Sequence, residues 1–158
     1  MLKYLILLLF WMSDIEASPL GRQELANNIR YIQIGSKFYY NEDALRINWF
    51  GASNICRQLG GFLVNLESEE ELKLLSPHLH PSLSYWTSFN DLAVPGIFAS
   101  STSGRNARYL NWSAGQPDNT GGVEHCVELW RSSTSFQMND VQCETILHFI
   151  CEFEADSG

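Results

Sequence analysis

No uninterrupted apolar run in this chain exceeds the nine residues from Tyr4 to Met12, and such a run is too short to cross about 30 Å of hydrocarbon as a helix. It follows Met1-Leu2-Lys3 and precedes small or polar residues ending at Ala17-Ser18, which is the make-up of a secretory signal peptide. Cleavage is expected at residue 17 or 18; an uncleaved anchor is the reading that the length disfavours. Positive charge is scarce as well. Ten Lys and Arg stand against eighteen Asp and Glu, a formal net charge of −8, which argues against nucleic acid or an anionic membrane surface as partner. No Ser-His-Asp pattern or nucleophile elbow is present. His78 and His80 are close together but have no acidic or cysteine neighbour to complete a metal site. Cysteines number only four. In the oxidising compartment that a signal peptide implies they are expected to pair, three connectivities being open. That leaves none for catalysis or zinc.

The 158 residues suit one domain able to bury a core. Ser18 to Asn28 is short, polar and without heptads, so it reads as a linker. Tyr31-Ile32-Gln33-Ile34 and Lys37-Phe38-Tyr39-Tyr40 flank Gly35-Ser36, a hairpin signal. Trp49, Ala52, Ile55, Cys56 and Leu59 then recur at helical spacing, and Gly60-Gly61 stops that helix. Leu63 to Leu66 predicts a short buried strand. Ser68 and Glu71 predict a capping box opening a second helix that ends at Pro77. A strand is expected at Tyr85-Trp86-Thr87-Ser88, then a long loop through Gly96, Ser100 to Gly104 and Asn106, and last strands at Val127 to Trp130 and Leu147 to Glu152. Trp86, Trp112 and Trp130 fit core or framing positions in these patterns. Asn111-Trp112-Ser113 is an N-glycosylation sequon.

Chemistry concentrates between Gln116 and Cys143. Gln116, Asp118, Glu124, Asn139 and Asp140 offer side-chain oxygens, with the bend-forming Thr120-Gly121-Gly122 between them. Calcium takes oxygens from carboxylates, amides and water, whereas zinc and copper prefer imidazole or thiolate. Three carboxylates supply charge and two amides add ligands without repulsion. The spaced set, Gln116-Pro117-Asp118, Glu124 before Cys126, and Asn139-Asp140 before Cys143, resembles the sugar-binding half of a C-type lectin domain, over about Tyr31 to Phe153, and is similar to the short secreted lectins of insects.

That resemblance implies an α+β fold with two helices, small antiparallel sheets and a long calcium-ordered loop region covering much of Phe89 to Asn139. It implies the disulfides Cys56-Cys151 and Cys126-Cys143. The domain plan is then a signal peptide at 1–17, a linker at 18–30, the lectin domain at 31–153 and a tail at 154–158. One calcium would be held by Gln116, Asp118, Glu124, Asn139 and Asp140. Pro117 would follow a cis bond as the family pattern has it, a trans turn proline being the plain alternative. A sugar diol needs both donors and acceptors around the ion. Gln116 and Asn139 would donate to it, and Asp118 and Glu124 would accept. The order Gln-Pro-Asp resembles galactose or N-acetylgalactosamine sites. Two departures temper affinity: no aromatic follows in Asn119-Thr120-Gly121-Gly122-Val123, and Met138 stands where the family usually has Trp. The positions matching an auxiliary calcium are Asp91, Pro95, Asn119 and His125, of which only Asp91 is a carboxylate, so that second site is expected to be lost. Expected partners are galactose-type glycans on cells, microbes or secreted glycoproteins, bound by an extracellular monomer or weak oligomer in an immune or reproductive role. The rival reading is a calcium-independent, protein-binding domain that keeps the motif. A glycosidase is disfavoured because the paired carboxylates would be occupied by the ion.

Overall fold

A computed structural model describes residues 30–132 and 134–154; the expected signal peptide, all but the last residue of the linker and the tail beyond Glu154 lie outside the described residues. Gly35, at φ +62°, makes the turn between β1 (Ile32–Ile34) and β2 (Lys37–Ile47), as the hairpin signal predicts. Strand β2 runs well past Tyr40, because the polar Asn41 and Glu42 still pair their backbones with Ile150 and Phe149.

The first helix, α1 (Trp49–Gln58), starts at Asn48, whose side chain accepts from the Gly51 amide at 2.9 Å. It buries Trp49, Ala52 and Cys56 and stops before Gly60, which is left-handed at φ +89°. A Cβ at Gly61 would fall on the Glu152 carbonyl oxygen and the Phe153 ring, so only glycine lets the next strand approach that backbone. That strand, β3 (Phe62–Leu63), is shorter than the expected Leu63–Leu66. Val64 is buried but bonds outside any regular ladder: its N–H donates to the Ile150 carbonyl and its carbonyl accepts from the Ser88 N–H, both at 2.9 Å.

The second helix, α2 (Glu69–Leu75), is capped by Ser68, which accepts from the Glu71 N–H at 3.2 Å. The reciprocal half of the predicted capping box forms one residue earlier. Glu71 accepts from the Glu67 N–H at 2.7 Å, and its other oxygen takes the Tyr39 hydroxyl at 2.5 Å and the Lys37 ammonium at 3.1 Å. Pro77 lies in the 3₁₀ turn Ser76–His78 that closes the helix.

Five further strands follow: β4 (Tyr85–Asn90), β5 (Ala99–Ser100), β6 (Cys126–Arg131), β7 (Phe136–Val141) and β8 (Leu147–Glu154). They join in the order β1-β2-β8-β4-β6-β7, with β3 on β8 and β5 on β4. Pairing is antiparallel throughout except where β4 runs parallel to β8. Tyr85, Phe89, Val127, Leu129, Met138 and Ile150 form one core, and Trp49, Ala52, Trp86 and Phe149 pack with all four cysteines in a second. Thr87 and Ser88 of β4 are fully buried beside them, so this strand is covered on both faces rather than alternating.

The disulfides are Cys56-Cys151 and Cys126-Cys143, as the resemblance implies. The first closes a loop of 95 residues and the second one of 17, which in the chain-entropy picture are worth about 4.7 and 3 kcal/mol. Among the described residues no helix is long and apolar enough to cross a membrane.

Candidate metal centre

Strands β6 and β7 frame the acids, with Asp140 on β7 and Asp118 and Glu124 on the loop before β6. Their register sets Val127 opposite Asp140 and Glu128 opposite Asn139, with the Cys126-Cys143 bridge at the same end. Burial alternates along β7, so Phe136, Met138 and Asp140 all point inward. Asn139-Asp140 therefore lies on a strand, where the sequence reading had placed it at the end of a long loop. Asp140 is 1% exposed, and a buried carboxylate needs partners. It finds two in the loop beyond, accepting from the Asp118 N–H at 3.1 Å and the Asn119 N–H at 2.8 Å.

That loop enters through a cis Gln116-Pro117 bond. The Gln116 side-chain oxygen accepts from the Asp118 N–H at 3.0 Å. Asn119 (φ +43°) and Gly121 (φ +71°) take left-handed conformations that reverse the chain toward Glu124. Thr120 sits between the acids: its N–H donates to Asp118 at 3.1 Å and to Glu124 at 3.0 Å, and its hydroxyl donates to Asp118 at 2.8 Å. The Asn119 side chain accepts from the Glu124 N–H at 3.0 Å.

The result is that carboxylate oxygens of Asp118, Glu124 and Asp140 lie within 4.8 Å of one another. Among the described residues none of the three forms an ion pair with a Lys, Arg or His. Burial pushes the Glu124 carboxyl up, the Asp140 and Asp118 charges add to that, and only the Thr120 N–H opposes it. Asp118 is held below its ordinary range, first by the Thr120 hydroxyl. A nearby divalent cation would turn this repulsion into attraction.

Asn139 supplies the sharpest detail. Its amide donates to Glu128 at 2.9 Å, while its carbonyl oxygen is buried with no hydrogen-bond partner. Such an oxygen costs about 1 to 3 kcal/mol when left unsatisfied. An unpaired amide oxygen on the residue next to Asp140, with three uncompensated acids, is a donor set suited to a hard, oxygen-seeking cation. Among the five expected ligands, three converge. Gln116 is tied to them through the Asp118 N–H, and Asn139 through the strand it shares with Asp140.

Two residues that hold the site were not singled out from the sequence. Glu128, buried and bonded to Asn139, is signalled only as an acid inside the apolar run Cys126-Val127-Glu128-Leu129. Thr120 was read as part of a bend. At the positions matching an auxiliary ion, Asp91 is already engaged, by the His125 ring at 2.9 Å and the Gly96 N–H at 2.6 Å. Met138 fills its place fully buried. Trp86 is in the core, and Trp112 packs edge-on against Phe98 with ring centres 4.8 Å apart. Trp130, read as core or framing, is instead 37% exposed on the outer face of β6 and donates its indole N–H to Ser113. In the sequon the Asn111 amide donates to the Phe136 carbonyl and Ser113 is buried, so a glycan there would have to displace native bonds.

Two disulfides closing a mixed sheet, with converging oxygens on an irregular loop, define a binding module of the lectin type. The chain belongs to the C-type lectin domain family. The family pattern described as Lectin C-type domain matches residues 45–153. C-type lectin 37Db of Drosophila melanogaster is 55% identical over 155 residues, covering 96% of this chain and 98% of that protein. Salivary C-type lectin 1 of Aedes albopictus is 36% identical, covering 66% and 75%. Among solved structures, the carbohydrate-recognition domain of the mouse scavenger receptor C-type lectin superposes with a TM-score of 0.73 at 30% identity, covering 80% of this chain and 96% of that one. Members of this family are carbohydrate-binding proteins rather than enzymes.

Proposed function

We propose that the protein is a secreted lectin that binds galactose-type glycans through one calcium ion held by Gln116, Asp118, Glu124, Asn139 and Asp140. The observation that carries this reading is the meeting of three carboxylates within 4.8 Å with no ion pair among the described residues, with an unpaired buried amide oxygen on Asn139, the residue before Asp140. Calcium, when bound, supplies open coordination positions for two neighbouring sugar hydroxyls. The protein's part is to sort their protons. Asp118 and Glu124 accept from the hydroxyls, and the amides of Gln116 and Asn139 donate to them. Asp140, inside the strand, anchors the loop by its bonds to the Asp118 and Asn119 N–H groups. The order amide-Pro-acid at 116–118 supports galactose over mannose. The Asp91 carboxylate, occupied by His125 and Gly96, supports a single ion.

The domain plan proposed is a signal peptide at 1–17, a linker at 18–30, the lectin domain at 31–153 and a tail at 154–158. A salivary relative in a mosquito supports extracellular release, with partners on cells, microbes or glycoproteins, an immune or reproductive role, and a monomer or weak oligomer. Galactose-agarose chromatography tests the reading: retention is expected with calcium and loss of it with chelator. Asp118→Ala should abolish retention with the fold intact, and the pair Gln116→Glu and Asp118→Asn should turn preference toward mannose. Retention in chelator, or an unchanged sugar preference in the double variant, would overturn it.

A further inference from the structure

A recess of about 350 Å³ is lined by Ser53, Arg57, Phe62, Leu63, Ser101 and Thr102. It shares no residue with the candidate metal centre. Its volume is at the lower end of small-ligand sites, about 300 to 1,000 Å³. Arg57 lies in the last turn of α1, next to Cys56, whose disulfide to Cys151 pins that turn to β8. Its guanidinium lies 4.1 Å from the centre of the Phe62 ring, a cation-π contact that fixes the side chain without using its N–H donors. Among the described residues those donors form no ion pair with a carboxylate.

The opposite wall is rigid. Ser100 bonds to Ser88 at 2.8 Å and accepts from the N–H groups of Thr102 and Ser103, and the Thr102 hydroxyl donates to the Leu63 carbonyl at 2.6 Å. Ser53 and Ser101 also line the recess. A second recess, of about 270 Å³, adjoins the first through shared Phe62 and Thr102 and brings in Asn65, Lys37 and the acids Glu67, Glu152 and Glu154, of which Glu67 and Glu152 are ion-paired to Lys37 at 3.3 and 3.5 Å. One end of this groove thus presents a held guanidinium with hydroxyls, and the other presents three acids and one ammonium, net negative with Lys37 included.

We infer that this groove is a second, calcium-independent saccharide site, taking a sugar that bears one carboxylate or sulfate: the anion on Arg57, the neutral hydroxyls toward Asn65 and the acids beyond. A guanidinium matches either anion through two parallel N–H donors. The far end stays net acidic with Lys37 counted, so it would repel a second negative group while its carboxylate oxygens accept from neutral hydroxyls, and a protein of net charge −8 disfavours a polyanionic chain. A sugar acid with a single charge satisfies both ends.

The test is an NMR titration of ¹⁵N-labelled protein in excess chelator with galacturonic acid, galactose 6-sulfate and neutral galactose. Saturable shifts at Arg57, Ser101 and Thr102 are expected with at least one acid and not with galactose, and the acid that binds identifies the anion. Arg57→Gln, at an exposed position, should weaken that binding about tenfold or more, with Asp118→Ala leaving it unchanged. Absence of shifts with both acids, equal shifts with neutral galactose, or full binding by Arg57→Gln would overturn the proposal. Chelator removes calcium-dependent binding from the experiment, so its outcome is separate from that of galactose retention.

Discussion

Two groups of three acids in this domain face the same electrostatic problem and meet it differently. Around Lys37, the carboxylates of Glu71, Glu67 and Glu152 gather at 3.1, 3.3 and 3.5 Å from one ammonium. Around the loop at 116–124, Asp118, Glu124 and Asp140 gather with no basic side chain paired to them among the described residues. The first group carries its cation within the chain and serves as a structural clasp between β2, α2 and β8. The second is complete only when a cation comes from solution. An acid cluster is therefore a candidate ligand site when its compensating charge is missing, rather than because its acids are close.

The comparison can be broken most strongly at Lys37. Lys37→Met leaves buried acids without their counter-charge and should cost about 3 kcal/mol in urea unfolding above pH 7, with no recovery on adding calcium; a loss below about 1 kcal/mol would mean that the ammonium is not holding the group together. At the other group the effect comes from outside. Calcium at about 100 times its dissociation constant should stabilise the protein by about 2.7 kcal/mol, and Asp140→Asn should remove most of that gain. A calcium shift that survives Asp140→Asn would place the ion elsewhere.

The smallest effect is in pH. Burial raises the Glu152 carboxyl from 4.5 to about 7, against the Asn65 N–H and Lys37. Between those values the folded protein binds a proton that the unfolded chain has released. Stability from this group thus falls as pH rises from 4.5 to 7 and levels off above. Glu152→Gln should flatten this part of the profile in calcium and in chelator alike. An unchanged slope would show that Glu152 is ionised throughout.

Where the chain repeats with a period that packing enforces, the fold is legible. Trp49, Ala52 and Cys56 mark α1, Ser68 caps α2, and Gly35 turns the first hairpin at the positions they occupy in the structure. The pairing Cys56-Cys151 and Cys126-Cys143 came from the family resemblance, cysteine arithmetic leaving three choices. What escaped was structure made by polar residues. The far half of β2 is held by backbone pairing that side-chain pattern does not report. Strand β7 did alternate, as Phe136, Met138 and Asp140 inward, but an acid at a core-facing position hid the period. Val64 to Leu66 looked like strand because it is buried, whereas its backbone serves two neighbours at once. The candidate ligands were visible as a chemical set, and the two residues that organise them were not. Thr120 acts through its N–H as much as its hydroxyl, and Glu128 acts through Asn139.

The pairing of Val127 with Asp140 gives the short connection between Arg131 and Phe136 an unexpected role. Side chains alternate strictly across a strand, so losing one residue from that connection and slipping the ladder by one would swing Asp140 to the outer face and bring Asn139 in. The hairpin behaves as a ruler: the number of residues at its bend is held by an acid several residues away.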